Sequence, residues 1–154
     1  MISINYDKQG LIVQLDGDGG DCAARTGELR VGMVLNPDQV NSCITWEQTL
    51  LHLEPREDGV LLRYTHPPYN NPYNGPFATS RDQTVPMVIA AGFQRDSEFV
   101  KRNALQILKN YLRFHNNDVC APEYINVYLR ALAQSTSNPL MLLLYPLIML
   151  FDLQ

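Results

Sequence analysis

The sequence predicts a mainly α-helical domain of antiparallel helices. A small N-terminal β-hairpin precedes them, and long loops gather at the helix entrances. By analogy alone, the arrangement expected is α/α-toroid-like or a partial toroid. Three observations carry the class. Apolar residues recur at helical spacing from Phe99 to Leu112 and again from Tyr124 to Leu132. Period-two alternation is confined to the first fifteen residues. Proline and glycine fall where such helices would start or stop.

Taken in order, Ile2, Ile4 and Tyr6 alternate, as do Leu11, Val13 and Leu15, around the turn Asp7-Lys8-Gln9-Gly10. The spacing predicts a first helix from Cys22 to Leu35, weakened by Gly27 and Gly32, with Pro37 just beyond it. A second helix is expected from Ser42 to Leu53, stopped by Pro55. Val60 to Thr65 reads as a short strand. The segment His66 to Pro76 holds four of the ten prolines in eleven residues, so it reads as a long ordered loop. Ser80-Arg81-Asp82-Gln83 has the form of a capping box before Val85 to Ala91, with Gly92 as a stop. Pro86 favours Thr84 as the true cap. Asp96 or Ser97 starts the clearest helix, whose pattern runs to Leu112 and ends at Asn116-Asn117-Asp118. Pro122 opens the next helix, and Ser137-Asn138-Pro139 opens a last, largely apolar one.

At 154 residues the chain is one domain's worth, with the hairpin in 1–15 and the helical part in 16–154. Its apolar final helix is expected either to be central to the fold or to pack against further protein. The 45% hydrophobic and 18% charged content is that of a globular protein. A net charge of −4 without a Lys/Arg cluster argues against nucleic acid as the main partner. Cys22, Cys43 and Cys120 have no C-x-x-C spacing and leave one cysteine over in any single disulfide scheme. That suits a reducing compartment or structural thiols better than a zinc site. No basic stretch followed by an apolar run opens the chain, so no signal peptide is expected, and the location reads as cytoplasmic or virion-associated. The run Pro139–Phe151 is too short to span a bilayer and is interrupted by Pro146. A buried helix, and no membrane partner, is the expectation.

Asp16-Gly17-Asp18-Gly19-Gly20-Asp21 packs three carboxylates and three glycines into six residues at a helix entrance. Asp21 is placed to cap the helix that follows. Asp16, Asp18 and Asp21 with loop carbonyls form a candidate Ca²⁺ site, although Asp21 and Gly27 stand where an EF-hand needs Gly and Glu. The same acids can instead supply a catalytic pair, one protonated and one ionised. The plainer reading is a cap plus a solvated turn. Arg25 either pairs with these acids or clamps a carboxylate-bearing ligand.

Arg63, His66, Tyr69, Asn70, Tyr73 and Asn74 form a second group. Tyrosine faces and Asn amides on a rigid loop suit sugar binding, and His66 is a candidate general base with Tyr69 or Tyr73 as acid. The plainer reading is a loop packed on itself or on a neighbouring subunit. Arg81 and Asp82 form a third, either a cap with a local ion pair or a partner of the 16–21 loop across a shared pocket. His52 and His115 read as surface or packing residues. Cys22, despite its place at a helix N-terminus, reads as structural.

The motifs Asp18-Gly19-Gly20-Asp21 with Arg25-Thr26-Gly27, Arg63-Tyr64-Thr65-His66-Pro67 and Ser80-Arg81-Asp82-Gln83 resemble those of a loosely described group. Its members are bacterial and phage proteins, mostly of unassigned function, carrying D-G-G-D-x-x-x-R-T-G, R-x-x-H-P and S-R-D-Q in this order. The resemblance covers roughly residues 16 to 150 and implies a helical fold, with this chain a short or partial version of a longer unit. It also implies that Asp18, Asp21, Arg25, His66, Arg81 and Asp82 belong to one constellation.

The function expected is a glycan-binding or glycan-processing helical domain, hydrolase- or lyase-like. Asp18 or Asp21 and Asp82 are the candidate acid/base groups, Arg25 and Arg81 hold an acidic sugar, and the 66–76 loop forms the wall. For β-elimination, His66 and a loop tyrosine take the place of the carboxylates. The alternative is a non-enzymatic structural or interaction protein, such as a phage virion component, assembling through its apolar C-terminal helix.

Overall fold

An Asp-centred turn builds the first element. Asp7 Oδ1 accepts the backbone N–H groups of Gln9 at 2.8 Å and Leu11 at 2.9 Å. The hairpin so closed pairs β1 (Asn5–Tyr6) with β2 (Ile12–Val13) antiparallel, Asn5 opposite Val13 and Tyr6 opposite Ile12. The computed structural model describes residues 5–13, 20–38, 44–116, 119–120 and 122–136. Asp16, Asp18 and Cys43, the outer hairpin positions Ile2, Ile4 and Leu15, and the helix expected from Ser137 lie outside the described residues.

Among the described residues the architecture is five α-helices and this two-stranded sheet. Helix α1 spans Cys22–Leu35, as its spacing predicts. Helix α2 spans Trp46–Leu53 and starts later than expected. Its start is set by a capping box: Gln48 N donates to Thr45 Oγ1 at 3.2 Å, and Thr45 N to Gln48 Oε1 at 2.8 Å. The expected strand over Val60–Thr65 does not form. Val60, Leu61, Leu62 and Tyr64 are buried among helices, and Leu62 N reaches back to the Leu53 carbonyl at 2.8 Å instead of pairing with a strand.

Helix α3 runs Arg81–Phe93 from an extended Ser80, earlier than a Thr84 cap would allow, and it carries Pro86 inside and Gly92 before its end. Proline removes one N–H from the ladder at this point. The same place is where α1 crosses α3, for a Cβ on Gly27 would lie 2.6 Å from the Pro86 carbonyl carbon. The two residues that weaken helix formation locally are therefore where two helix backbones touch.

Helix α4 spans Ser97–Lys109, with Phe99 N donating to Asp96 Oδ1 at 2.9 Å. It ends before Tyr111 and Leu112, which take φ of 55° and 57° although their spacing extends the apolar pattern. A left-handed close explains the early stop: Leu112 N donates to the Ile107 carbonyl at 2.9 Å, and Asn110 Nδ2 to the Arg113 carbonyl at 2.9 Å. Pro122 opens α5, Pro122–Thr136. Helix α3 is the hub, packing on α1, α4 and α5, with Met87, Val88, Ala90 and Ala91 buried. Leu11, Leu53, Leu61, Phe99 and Phe114 complete the core around it. None of the described helices is long and apolar enough to cross a membrane.

Candidate functional site at the entrance of α1

Three chain segments meet where α1 begins, and they are the three that carry the motifs. The first-turn N–H groups of α1 are satisfied from a distance. Ala23 N donates to the Arg63 carbonyl at 3.0 Å, and Ala24 N to Gln83 Oε1 at 3.2 Å. The other end of the same amide, Gln83 Nε2, donates to Asp21 Oδ1 at 2.9 Å. Asp21 sits at the N-cap position but makes no side-chain cap bond. This corrects the expectation of Asp21 capping α1, and the reason is competition: Gln83 and the Arg63 carbonyl take the donors, and the Asp21 carboxylate turns to Gln83.

Arg63 ties the corner together. Its Nε donates to the Gly20 carbonyl at 2.9 Å and its Nη1 to the Pro76 carbonyl at 3.3 Å, while Nη2 stands 3.8 Å from Asp21 Oδ1. Its guanidinium lies over the Tyr69 ring, 5.6 Å from the centroid, and Tyr69 meets Phe77 edge-on at 5.3 Å. The Arg63 side chain is 18% exposed and that of Asp21 43%, so the carboxylate reaches solvent beside a largely covered cation.

The other candidates stand apart from this corner. Arg25 is exposed and pairs with Glu28 at 2.9 Å; Glu28 also holds its guanidinium charged more firmly than usual. Asp82 is 68% exposed and accepts from Arg81 Nε at 2.8 Å, and Arg81 lies over the Tyr124 ring. In Ser80-Arg81-Asp82-Gln83 it is thus Gln83, not Asp82, that reaches the Asp21 end. His66 is exposed and meets the Tyr64 ring edge-on at 4.9 Å. Tyr64 in turn donates to Asp7 Oδ2 at 2.9 Å. Asn70 is exposed on the loop. Tyr73 belongs to a different cluster, where Arg56 Nη2 donates to its hydroxyl at 2.8 Å and His115 meets its ring at 4.9 Å. The 66–76 loop therefore splits, Tyr69 toward Arg63 and Tyr73 toward Arg56 and His115.

The cavities described between α3 and α5, α4 and α5, and α2 and α4 are lined by other residues. Among the described residues no three His, Cys, Asp or Glu side chains gather as a metal-ligand set. Cys22 is buried and free, and burial pushes its thiol up to about 12, opposite to the lowering a helix N-terminus provides. Desolvation outweighs the lowering influence of Thr26, and the Asp7 charge adds to it.

Two polar assemblies escaped the sequence reading. Glu54, 1% exposed, accepts from Arg102 Nε at 2.9 Å, Arg102 Nη2 at 2.7 Å and Gly59 N at 2.6 Å. Beside it, Asn103 donates to the Gly59 carbonyl and accepts from the Tyr128 hydroxyl, while Gln106 reaches the Asp58 carbonyl at 2.6 Å. Arg102, Asn103 and Gln106 lie at i, i+1 and i+4, and the helical period alone does not mark them as partners of the turn after α2. Arg30 is the second: its buried guanidinium donates to the Ile44 and Thr45 carbonyls and to Thr49 Oγ1, and burial lowers its pKa. Nothing in the helical period distinguishes an arginine of this kind from a surface one.

No protein-family model, curated protein or solved structure matches this chain. What the geometry defines is a helical domain with a polar corner built from a carboxylate, a guanidinium and an aromatic ring.

Proposed function

We propose that the chain is a glycan-binding domain whose recognition surface is the entrance of α1. One observation supports the reading most: the half-exposed Asp21 carboxylate stands beside Arg63, which is stacked on Tyr69 at the root of the 66–76 loop. A carboxylate accepts sugar hydroxyls, a guanidinium donates to them, and a tyrosine edge adds apolar contact. Asn70, exposed on the same loop, adds an amide for further hydroxyls. A processing activity extends this reading. Asp21 would then act with Asp18 as acid and base, in a partial toroid of helices and with Ca²⁺ at Asp16, Asp18 and Asp21, whereas Asp82, paired with Arg81, and His66, against Tyr64, stand apart from it. The resemblance to the bacterial and phage group is compatible with it and adds no reaction.

Titration calorimetry of the full chain against neutral and acidic oligosaccharides tests the proposal. A binding sugar is expected, with affinity lost in Asn70→Ala and Asp21→Asn and the fold kept in the former. Absence of binding across the panel, or binding indifferent to both substitutions, overturns it.

The second reading is a non-enzymatic interaction or virion protein. It is favoured by the exposed side chains of Leu105, Leu108, Tyr111, Leu112, Val119 and Ile125 on the α4–α5 side. Concentration-dependent sedimentation of the full chain checks it.

A further inference from the structure

Among the described residues two enclosed side-chain atoms have no hydrogen-bond partner, Thr26 Oγ1 and Arg30 Nε. Their residues lie at i and i+4 of α1, on one face of that helix, with Cβ atoms about 5–6 Å apart. Thr26 is 3% exposed and Arg30 4%. The hydrogen bonds of the Arg30 guanidinium all leave from Nη2: to the Ile44 carbonyl, to the Thr45 carbonyl at 2.8 Å and to Thr49 Oγ1 at 2.8 Å. Every one of these acceptors is neutral. Among the described residues no carboxylate lies within 4 Å of this cation. Glu47 acts on it through space, but that carboxylate is exposed and engages its own backbone N–H and the Thr45 hydroxyl. A buried charge is costly unless it is paired, and this one is held by uncharged groups alone.

We propose that Arg30 and Thr26 form a binding site for one small monovalent anion, a chloride ion, on α1 where Arg30 grips the start of α2. The two groups left over are both donors, an N–H on a cation and an O–H, which an anion accepts and a metal cation repels. The Cys22 thiol beside Thr26 is neutral and a weak acceptor, so it competes little for the hydroxyl proton. Burial sets the size of the guest. Neither residue lines the cavities between the helices, so the guest is monatomic rather than a phosphate or a sugar carboxylate. A buried water is the competing occupant; it satisfies the same two atoms but leaves the charge of Arg30 uncompensated. Anion binding here strengthens the tie that Arg30 makes from α1 to Ile44, Thr45 and Thr49. The inference stands apart from the glycan reading.

Two measurements on the full chain test it. Crystals soaked in sodium bromide are recorded at the bromine absorption edge, and thermal melts at constant ionic strength exchange sodium gluconate for sodium chloride. The expected results are an anomalous bromine peak in contact with Arg30 Nε and a melting temperature that rises with chloride, as a ligand of the folded state requires. Thr26→Val removes the hydroxyl and keeps the shape. It should move the midpoint of the chloride response at least about tenfold higher, the worth of one hydrogen bond to a charged group. Lys109→Gln, at an exposed cation, should leave the response unchanged. Water instead of bromide at Nε, equal melting in both salts, or a chloride response that Thr26→Val leaves unmoved each overturn the proposal. A bromine peak without a response in solution is binding at crystal concentration only and overturns it as well. Should Thr26→Val fail to fold, the bromide and chloride measurements on the parent chain decide alone.

Discussion

Gln83 caps a helix to which it does not belong: its side-chain amide accepts from Ala24 N of α1 while donating to Asp21 Oδ1. The residue is 1% exposed, so its removal leaves a buried N–H without an acceptor. Gln83→Ala should therefore lose about 1–2 kcal/mol in urea denaturation, the cost of a lost cap. Gln83→Glu should lose more at neutral pH, because it sets a second carboxylate against Asp21, and should recover part of the loss on acidification. Equal stability of Gln83→Ala and the parent would remove Gln83 from this role.

Gly27 and Pro86 mark the crossing of α1 and α3. A Cβ at position 27 would come within 2.6–2.8 Å of three backbone atoms of Pro86 and Met87. Backbone cannot swing aside as a side chain does, so Gly27→Ala should separate the two helices and cost at least about 2 kcal/mol. The better helix propensity of alanine acts in the opposite direction and is worth only about 1 kcal/mol. A thermal melt above that of the parent would contradict the crossing.

The Glu54–Arg102 pair fastens the turn after α2 to α4. Arg102→Met leaves Glu54 buried with, among the described residues, Gly59 N as its one donor and should destabilise the chain by about 2–4 kcal/mol, reduced somewhat by the partial exposure of the guanidinium. The double variant Glu54→Leu/Arg102→Met should lose less than the sum of the single losses. A double-mutant cycle in denaturant measures this coupling.

Burial raises the Cys22 thiol from 9.0 to about 12, and it also raises Tyr64 and Tyr128. Each group is neutral when protonated and has its folded pKa above the unfolded one. Their contribution is present in full below the unfolded pKa and is lost as pH rises, over about 9 to 12 for Cys22. Stability should fall on the alkaline side, and Cys22→Ala should show a shallower fall. In the native protein at pH 8, Cys22 should react with a thiol reagent only as fast as the chain opens.

His115 behaves in the opposite sense. Desolvation by burial lowers its pKa below 6.5, with the Arg56 cation adding to this and Asp58 opposing it. A base with a depressed folded pKa contributes stability above the unfolded value and loses it as pH falls through the folded value. Acidification below about pH 6.5 should therefore weaken the Tyr73–His115 contact, and His115→Phe should flatten this part of the stability profile.

Local chemistry was legible at several elements, though not at the Thr45–Gln48 capping box that starts α2. The alternation around Asp7-Lys8-Gln9-Gly10, the bounds of α1 and the opening of α5 at Pro122 follow from period, turn and cap alone. The ends of α4 and α3 did not follow. The left-handed close at Tyr111–Leu112 is made by near neighbours, but two non-glycine residues at positive φ carry no hydrophobic-period signal, and Pro86 is accepted inside α3 where that helix meets Gly27 of α1. The same holds for the candidate site. The sequence marked the three motif segments whose ends meet at α1. It placed the contact one residue away, at Asp82, and assigned Asp21 the capping bond that Gln83 makes.

By itself, then, the sequence determined the helical class, the hairpin and the segments that form the polar corner, because hydrophobic period and turn chemistry are local properties. Only the tertiary structure decided that Arg63, Gln83 and Asp21 share a corner, that Tyr69 and Tyr73 part company, and that Gly27 lies on Pro86. Hydrogen-bond donors choose among all acceptors within about 3 Å in space, and two helices approach as closely as their smallest facing residues allow.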